Sequence, residues 1–381
     1  MIYIAKDIPL WQVTIWDKKF NNVDKKWQPK TIKYKYLLSD ELDSLRVDDG
    51  DVRILYTGKD VGFTTEELAG DRLSEGEIIS IPWGGIPTVK YHKGKFVTGD
   101  NRIATSKDIN KLTNKYLYYF MRGNIHEIAS YYRGASLKHP CMKDILKMTI
   151  SYPSVQEQDK ICGQFDVLEQ IIEVRKQELQ LLDDLIKARF VEMFGDPIIN
   201  SFGIDTKSMT DVCEIIDGDR GKNYPTADEF SDEGYCLFLN AKNVTSTGFN
   251  FATCMFVTKE KDEVLRKGKL SRGDVVLTTR GTLGNLAFYT EDIPFEHVRI
   301  NSGMVILRMK QDVVDEVYFI EQFKMQLADI REKIASGSAQ PQLPISAMNK
   351  INILTPNIEK QRQFADFVRK VDKSKVVEII N

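Results

Sequence analysis

Residues 154–194 read SVQEQDKICGQFDVLEQIIEVRKQELQLLDDLIKARFVEMF and contain no proline. Most of these residues are good or adequate helix formers. Ser154 and Glu157 have the spacing of a capping box, and Gly195, Asp196 and Pro197 form a typical helix stop. The stretch therefore predicts one helix of roughly 60 Å, at ~1.5 Å per residue, which is long for a globular protein.

Apolar side chains recur every seven residues along this predicted helix. One set is Phe165, Ile172, Leu179, Ile186 and Met193, and a second set is Ile161, Leu168, Arg175, Leu182 and Arg189. A pattern sustained over about four heptads is typical of a coiled-coil seam, in which the two arginines could fix register or partner. An ordinary long amphipathic helix lying on a domain core stays open as the alternative.

Composition indicates a globular protein that works in a reducing compartment. The chain has 381 residues, enough for two or three domains, and a net charge of −2. Its five cysteines are scattered, and no C-x-x-C pair or cysteine–histidine cluster occurs, so we expect no metal site and a cytoplasmic location. The sequence contains no run of eighteen apolar residues, so it predicts no membrane span. A net charge close to zero neither supports nor excludes nucleic-acid binding, because acidic residues elsewhere can offset a basic patch.

The order of segments before the long helix is repeated after it. Short predicted strands before it are PLWQVTIW (9–16), NNVDKKWQPKTIKYKYLLS (21–39), GDVRILYTG (50–58), GEIISIPWGG (76–85) and TVKYHKGKFVTG (88–99), followed by helical spacing over 114–128. KMTISYPSVQEQDKI (147–161) and KINILTPNIEKQRQF (350–364) align without a gap, which pairs Pro153 with Pro356 and Gln158 with Gln361. At the same offset Gly134 meets Gly337. A repeat of this length is domain-sized.

A second, shorter helix is predicted over 358–381, and we expect the two helices to pack as an antiparallel coil. When the two helices are aligned in the register of the repeat, the apolar seam of the first helix extends beyond the end of the second helix. We expect this uncovered length to dock a partner protein, because exposed apolar seams need cover. The residues predicted to dock are Leu179, Leu182, Ile186 and Met193.

This layout resembles the specificity subunit of type I restriction-modification enzymes over the whole chain. The resemblance rests on the duplicated order, on SGSAQPQLPISAMNKINILTP (336–356) and on the P-x-x-x-E-Q run at 153–158. It implies an α+β fold in which two tandem β-rich target-recognition domains are separated by long helices that pair as an antiparallel coiled coil. The implied segments are a first recognition domain (1–153), a central spacer helix (154–195), a second recognition domain (196–357) and a short C-terminal spacer helix (358–381).

The resemblance also implies a function without catalysis. Each domain would read one half of a bipartite site in double-stranded DNA, and the site would be asymmetric because the two domains have diverged. The helices would dock methyltransferase subunits, which carry the restriction (nuclease/translocase) subunit and bind S-adenosylmethionine. We expect no catalytic residue, metal or cofactor on this chain. No Walker-type loop and no Asn-Pro-Pro-Tyr or Asp-Pro-Pro-Tyr run occurs in it.

Candidate DNA contacts are side chains that can donate to bases or phosphates from Gly-rich or basic loops. In the first domain they are Trp83, Lys90, Tyr91, Lys93, Lys95, Arg102, Arg133 and Lys138. In the second they are Arg220, Lys222, Asn223, Asn240, Lys242, Asn243, Arg280 and Asn285. A solvated lysine or a turn residue is the ordinary alternative for each, and Trp83 also suits a core or rim position.

Two other functions stay open at this stage. The chain could be a non-catalytic adaptor whose two β-rich domains bind proteins, which a salt-dependent DNA shift would exclude. It could also be a self-contained methyltransferase–nuclease, but that would need catalytic motifs that the sequence lacks.

Overall fold

A computed structural model describes residues 5–17, 31–58, 61–335 and 342–380. The chain forms two compact units, Met1–Val174 and Arg175–Asn381. The border between them falls inside the long helix, so each half of that helix belongs to the unit beside it. The predicted strand segment 21–30 and the predicted turn at 336–341, with Gly337, lie outside the described residues.

The first unit is a β-rich domain with short helices and the start of the long helix. Its strands are β1 Ala5–Pro9, β2 Thr14–Asp17, β3 Thr31–Ile32, β4 Val52–Leu55, β5 Val61–Thr64, β6 Ser74–Pro82, β7 Lys90–Thr98, β8 Asn101–Ser106, β9 Tyr132–Arg133, β10 His139–Pro140 and β11 Thr149–Tyr152. Its helices are α1 Leu10–Val13, α2 Ser39–Ser44, α3 Glu66–Ala69, α4 Asn114–Gly123, α5 Ile125–Ser130, α6 Met142–Ile145 and the first half of α7 Val155–Phe194.

The main sheet of this unit runs in the order β3-β2-β8-β6-β7-β4-β5. It is mixed: β2 with β3 and β4 with β7 are parallel pairs, and the other pairs are antiparallel. Successive residues of β6 enter different apolar clusters, since Ile79 packs with Leu117 and Met121 of α4 while Ile78 packs with Phe96 and Ile103. Because successive side chains of a strand point to opposite faces, both faces of the sheet are covered here.

One strand prediction in this unit is wrong. PLWQVTIW was predicted as a continuous strand, but Leu10–Val13 form the helical turn α1 between β1 and β2. Leu10 is fully buried, its backbone N–H donates to Met148 (2.8 Å), and its carbonyl accepts the hydroxyl of Thr14 (2.6 Å). The turn is needed because β1 pairs with β11 while β2 belongs to the main sheet. Tertiary pairing thus overrides the local strand propensity.

The second unit has a related order of elements around different sheets. Its strands are β12 Thr206–Ser208, β13 Cys213–Asp217, β14 Cys236–Leu239, β15 Val244–Thr245, β16 Gly248–Phe249, β17 Phe256–Val257, β18 Val275–Thr278, β19 Leu286–Phe288, β20 Val298–Ile300, β21 Met304–Met309 and β22 Asn352–Leu354. Its helices are α8 Met209–Val212, α9 Lys259–Val264, α10 Glu316–Ala335, α11 Ile345–Met348 and α12 Ile358–Ile380. The larger sheets run β13-β21-β18-β19 and β17-β14-β20.

The predicted duplication is visible in matching hydrogen bonds. Gln158 is fully buried, accepts from the Thr113 backbone N–H (2.9 Å), and donates to the carbonyls of Lys111 (2.7 Å) and Pro153 (2.9 Å). Gln361 is also fully buried, accepts from the Asp315 N–H (3.0 Å), and donates to the carbonyls of Val313 (3.2 Å) and Pro356 (2.8 Å). Each glutamine therefore joins the start of a long helix to the turn that precedes α4 or α10.

A tyrosine on the shorter helix repeats in the same way. The hydroxyl of Tyr116 in α4 donates to the carbonyl of Ser151 (3.3 Å), and that of Tyr318 in α10 donates to the carbonyl of Leu354 (3.1 Å). Ser151 and Leu354 are paired in the gapless alignment of the two segments. The two units thus share one frame of strand, long helix and shorter helix, on which different sheets are mounted.

The long helix and its antiparallel packing are confirmed. Helix α7 spans Val155–Phe194, and α12 packs against its second half. The ring of Phe364, near the start of α12, lies 5.4 Å from that of Phe190, whereas Lys375, farther along α12, pairs with Asp183 (2.7 Å). The two helices therefore run in opposite directions.

The prediction of an uncovered seam at Leu179–Met193 is wrong. Ile186 is only 2% exposed, and Leu182 and Met193 pack against the same core cluster, which includes Phe364 and Val368. Leu179 is half-buried. The start of an antiparallel α12 lies at the end of α7, so this length is covered by the chain itself. The premise for partner docking through these four residues is therefore lost.

Apolar side chains stay exposed in both halves of α7, and in the first half they form a continuous series. Phe165, Leu168 and Ile172 are 44%, 52% and 53% exposed. In the second half, Leu181 and Leu185 are 66% and 48% exposed, whereas Phe190 and Phe194 are fully buried. The second half therefore matches the alternative of an amphipathic helix on a domain core, with Ile186, Phe190 and Phe194 at intervals of four.

Candidate nucleic-acid interface

The hairpin between β18 and β19 presents a fixed loop, Thr279–Asn285, in the second unit. Thr279 donates its backbone N–H to Gly303 (2.8 Å), and Gly284 donates to Thr278 (2.8 Å). Gly281 and Gly284 have φ angles of +72° and +84°, which glycine adopts without strain. Arg331 of α10 donates to the Gly284 carbonyl. The loop is therefore held from both sides, and the side chains on it are presented from a defined backbone.

Arg280 stands on this loop beside Arg220, and both line a cavity of about 250 Å³ with Asp217 and Gln342. Arg220 donates to Asp217 Oδ1 and to the carbonyl of Ser302, each at 3.1 Å. Among the described residues, we find no hydrogen bond or ion pair for the exposed side chain of Arg280. An unpaired guanidinium on a fixed loop can donate two parallel hydrogen bonds to a guanine edge or a phosphate.

A second hollow lies on the other side of the same loop. It measures about 560 Å³ and is lined by Lys242, Thr245, Asn285 and Arg331, among others. Lys242 is exposed, whereas the amide of Asn285 donates to the Val244 carbonyl (3.0 Å) and joins the hairpin to β15. The structure thus brings Arg220, Lys242, Arg280 and Asn285 together around one loop, as cations and polar groups that suit DNA.

The other candidates of the second unit divide into exposed and structural groups. Lys222 is exposed on the turn after Arg220, and Asn223 donates to the carbonyl of Val264 (3.2 Å). Asn240 accepts from the backbone of Lys242 (2.9 Å). Asn243 is fully buried and donates to the carbonyls of Asn250 (3.0 Å) and Thr253 (2.7 Å), so its prediction as a DNA contact is wrong.

The candidates around Trp83 in the first unit form one surface with the loop 131–140. The Gly85 backbone N–H donates to the Lys138 carbonyl (3.2 Å), and a ring nitrogen of His139 lies 2.7 Å from the Trp83 carbonyl. Lys138 is exposed, and Arg133 pairs with Asp144 (2.7 Å) while 69% of its side chain stays exposed. Two loops that are distant in sequence are therefore joined, with two cations at their rim.

The candidates on β7 face internal partners. Tyr91 donates to Glu77 (2.7 Å), and burial together with this bond raises the pKa of its hydroxyl. Lys93 lies 3.8 Å from the same Glu77 and stays 72% exposed. Lys95 pairs with Glu66, which raises the pKa of the lysine, and Lys90 donates to backbone carbonyls. Glu77 and Glu66 thus partly neutralise Lys93 and Lys95, and whether the candidates on β7 contact DNA stays a prediction.

Arg102 cannot contact DNA directly, so this prediction is wrong. Its side chain has no exposed surface, and it pairs with Asp17 (3.1 Å) and Asp100. Its guanidinium lies 4.8 Å from the ring of Trp83. Arg102 therefore links β8 to β2 through Asp17, and its guanidinium packs against the ring of Trp83.

Sequence reasoning missed Arg331 and Asp217, which line the two hollows. Arg331 lies on α10, far along the chain from the hairpin, so only the fold brings it there. Asp217 ends β13, and the carboxylate was overlooked beside the more obvious cations of the same turn. Among the described residues no group of His, Cys, Asp and Glu could hold a metal ion, and no described helix is long and apolar enough to cross a membrane.

Comparison with known proteins agrees with this architecture. Residues 42–183 and 203–381 each match the family model described as "Type I restriction modification DNA specificity domain". The chain belongs to this family. The two matches correspond to the two halves of the duplication, so the internal repeat is a repeat of the family domain itself.

Individual relatives have low sequence identity to this chain but match most of its length. The chain is 20% identical over 333 residues to the type I restriction enzyme MjaVIII specificity subunit of Methanocaldococcus jannaschii, covering 82% of this chain and 76% of that protein. The crystal structure of a type I restriction-modification S subunit from M. genitalium covers 99% of this chain and 91% of its own, with a TM-score of 0.54 and 16% identity. The HsdS subunit from Thermoanaerobacter tengcongensis covers 98% and 90%, with a TM-score of 0.39 and 16% identity.

Proposed function

We propose that this chain is the DNA-recognition subunit of a type I restriction-modification enzyme and reads a bipartite, asymmetric site. The observation that carries the proposal is the repeated frame with different sheets mounted on it. Gln158 and Gln361 make the same three hydrogen bonds, yet the first unit carries a seven-stranded sheet and the second carries sheets of four and three strands. Two different surfaces on equivalent supports suit the reading of two different half-sites.

The chemistry is proposed to reside on partners. Methyltransferase subunits would bind S-adenosylmethionine and transfer the methyl group, and a restriction subunit would cleave and translocate DNA in the cytoplasm. On this chain, the exposed cations around Arg220, Lys242 and Arg280, and those of the Trp83 surface, would contact phosphates and base edges. The exposed apolar side chains Phe165, Leu168 and Ile172 would give a partner subunit a surface to cover.

The test is methylome sequencing of cells that carry this chain with its partner subunits. Residues 1–153 are replaced by the first domain of another family member, and the methylated motifs of both chains are compared. We expect one half of the motif to change and the other half to stay. A change in both halves would exclude independent reading, and an unchanged motif would exclude recognition by the first domain.

The exposed apolar stripe on α7 also favours a second candidate, a protein-binding adaptor. An adaptor would bind its partner without DNA, and duplex DNA would not shift in its presence at any salt concentration. A DNA-recognition subunit with its methyltransferase should instead bind duplex DNA with an affinity that falls steeply as salt rises.

A further inference from the structure

The first long helix holds its domain through carboxylates. Asp166 of α7 pairs with Lys115 of α4 (Nζ–Oδ2 2.5 Å) and accepts the hydroxyl of Tyr119 (2.8 Å). One helical turn farther on, Glu169 pairs with Arg122 at the end of α4. The cations therefore belong to the domain and the anions to the long helix.

The second long helix holds its domain with the opposite polarity. Arg369 of α12 pairs with Asp315 (Nη2–Oδ2 3.5 Å), whose carboxylate also accepts the backbone N–H groups of Val317 (2.9 Å) and Tyr318 (3.1 Å) at the start of α10. Arg369 also pairs with Asp366 of its own helix (2.9 Å). Between helix and domain, however, the cation belongs to the long helix and the anion to the domain.

Asp166 and Arg369 occupy the same place in the repeated frame. Each follows its buried glutamine, Gln158 or Gln361, by eight residues, and each faces the beginning of the shorter helix. The matching bonds of Tyr116 and Tyr318 fix the alignment of α4 with α10. It pairs Thr113 with Asp315, Lys115 with Val317 and Tyr119 with Glu321.

A duplicated chain can misassemble by docking either domain on the other domain's helix, because the two frames are alike. With the second domain on α7, Asp166 would meet Asp315 and the position of Glu321. With the first domain on α12, Arg369 would meet Lys115. At this position both wrong pairings bring like charges together, whereas both native pairings bring opposite charges together. The position of Glu169 and Arg122 does not discriminate, because the aligned residues are Asp372 and Lys324, which have the same charges.

We propose that the Lys115–Asp166 and Asp315–Arg369 pairs form a charge code that matches each recognition domain to its own helix and excludes cross-docking. The proposal concerns assembly within the chain and is tested on purified protein without DNA, so it stands or fails separately from the proposed function. Surface ion pairs are individually weak, so the code acts by the difference between attraction and repulsion.

The experiment compares the same substitutions in two contexts. Asp166→Arg with Arg369→Asp is introduced into the native chain and into a chain whose two domains, 1–153 and 196–357, have exchanged places. We expect the folded-to-unfolded ratio, measured by urea unfolding at low salt, to fall roughly threefold to tenfold in the native order and to rise by a similar factor in the exchanged order. Added salt should shrink both differences, because it screens exposed charges. Effects of the same sign in both contexts would overturn the proposal.

A smaller graft decides the question if the exchanged chain does not fold. Thr113→Asp, Lys115→Val and Tyr119→Glu place the face of α10 on α4 within the native order. We expect this graft to destabilise the first unit and Asp166→Arg to recover most of the loss. Lys160→Arg, at an exposed pair within α7 (Lys160–Glu157, 3.2 Å), is the matched control and should change nothing in either background. A graft that Asp166→Arg weakens further would contradict the charge code.

Discussion

Asp262 is a buried charged residue of the second unit. It is 1% exposed and accepts hydrogen bonds from Lys269 and Arg299, while Arg299 also donates to the carbonyls of Leu265 (3.0 Å) and Lys267 (2.7 Å). Burial pushes the pKa of Asp262 upward, but the bonds from Lys269 and Arg299 outweigh it, and the net pKa is lowered. The ionised carboxylate is therefore the form on which this network depends.

We predict that Asp262→Asn lowers the free energy of unfolding by about 3–5 kcal/mol, because it leaves buried Arg299 without its counter-charge. Since the folded-state pKa of Asp262 is lowered, its contribution is present above the ordinary pKa of aspartate and is lost as pH falls through the folded value. Urea unfolding from neutral to acid pH should thus show a flatter pH dependence for the variant. Asp372→Asn, at an exposed pair, is the control, and equal stability of Asp262→Asn and the parent would refute the prediction.

Arg280 and Arg102 offer a test of exposed against buried arginine. We predict that Arg280→Ala leaves the free energy of unfolding within about 0.5 kcal/mol of the parent. It should relax one position of the second half-site, with a loss of ~1–3 kcal/mol in discrimination. Arg102→Ala should instead destabilise the first unit, because the fully buried Asp17 loses the counter-charge of Arg102. Motif sequencing and urea unfolding separate the two outcomes, and relaxation of the first half-site by Arg280→Ala would contradict the assignment.

Residue type alone did not separate these arginines. Arg102 was a candidate because it follows a basic segment, but all residues of β8 except Thr105 are buried, since both faces of the sheet are covered. The loop around Asn243 likewise has a composition typical of DNA-binding loops, and only the fold shows that the Asn243 amide donates to two carbonyls. The loop around Arg280 could be predicted because its glycines and polar residues require a turn in any fold.

At the scale of elements, the long helix was predictable and the side that it buries was not. Caps and composition define Val155–Phe194 closely. The antiparallel direction of α12 was predicted correctly, but the half of α7 that it covers depends on its position along α7, and a heptad pattern carries no information about that position. Phe190 and Phe194, which pack against Phe364, therefore lay outside the predicted seam.

We predict that seven helix-forming residues inserted after Val174 lengthen the gap between half-sites. They add about 10 Å at ~1.5 Å per residue and nearly preserve the orientation of the helix face. At ~3.4 Å per base pair, the gap should grow by about three base pairs at most, and by less if the helix is tilted to the DNA. The same seven residues inserted after Gly203, outside α7, form the control. A gap of unchanged length in a fully active enzyme would exclude a spacing role for α7.

At the scale of the whole molecule, the two units have separate cores and share one continuous helix. The repeated glutamines connect each core to its long helix, and each is fully buried with three backbone partners. Removing either side chain leaves buried backbone groups unpaired, at a cost of roughly 1–3 kcal/mol. We therefore predict that Gln158→Ala destabilises the first unit and Gln361→Ala the second.

Amide hydrogen exchange resolves the two effects within one chain. Gln158→Ala should speed exchange in α4 and β11 while leaving α10 and β22 at the parent's rate, and Gln361→Ala should do the reverse. In the double variant the two losses should add within about 0.5 kcal/mol, because distant sites without shared partners are independent. Gln164→Ala, on the same helix, is the control for a general loss of helix stability. If either variant loosened both cores equally, α7 would couple the units into one cooperative structure, and each recognition domain could not be replaced without disturbing the other.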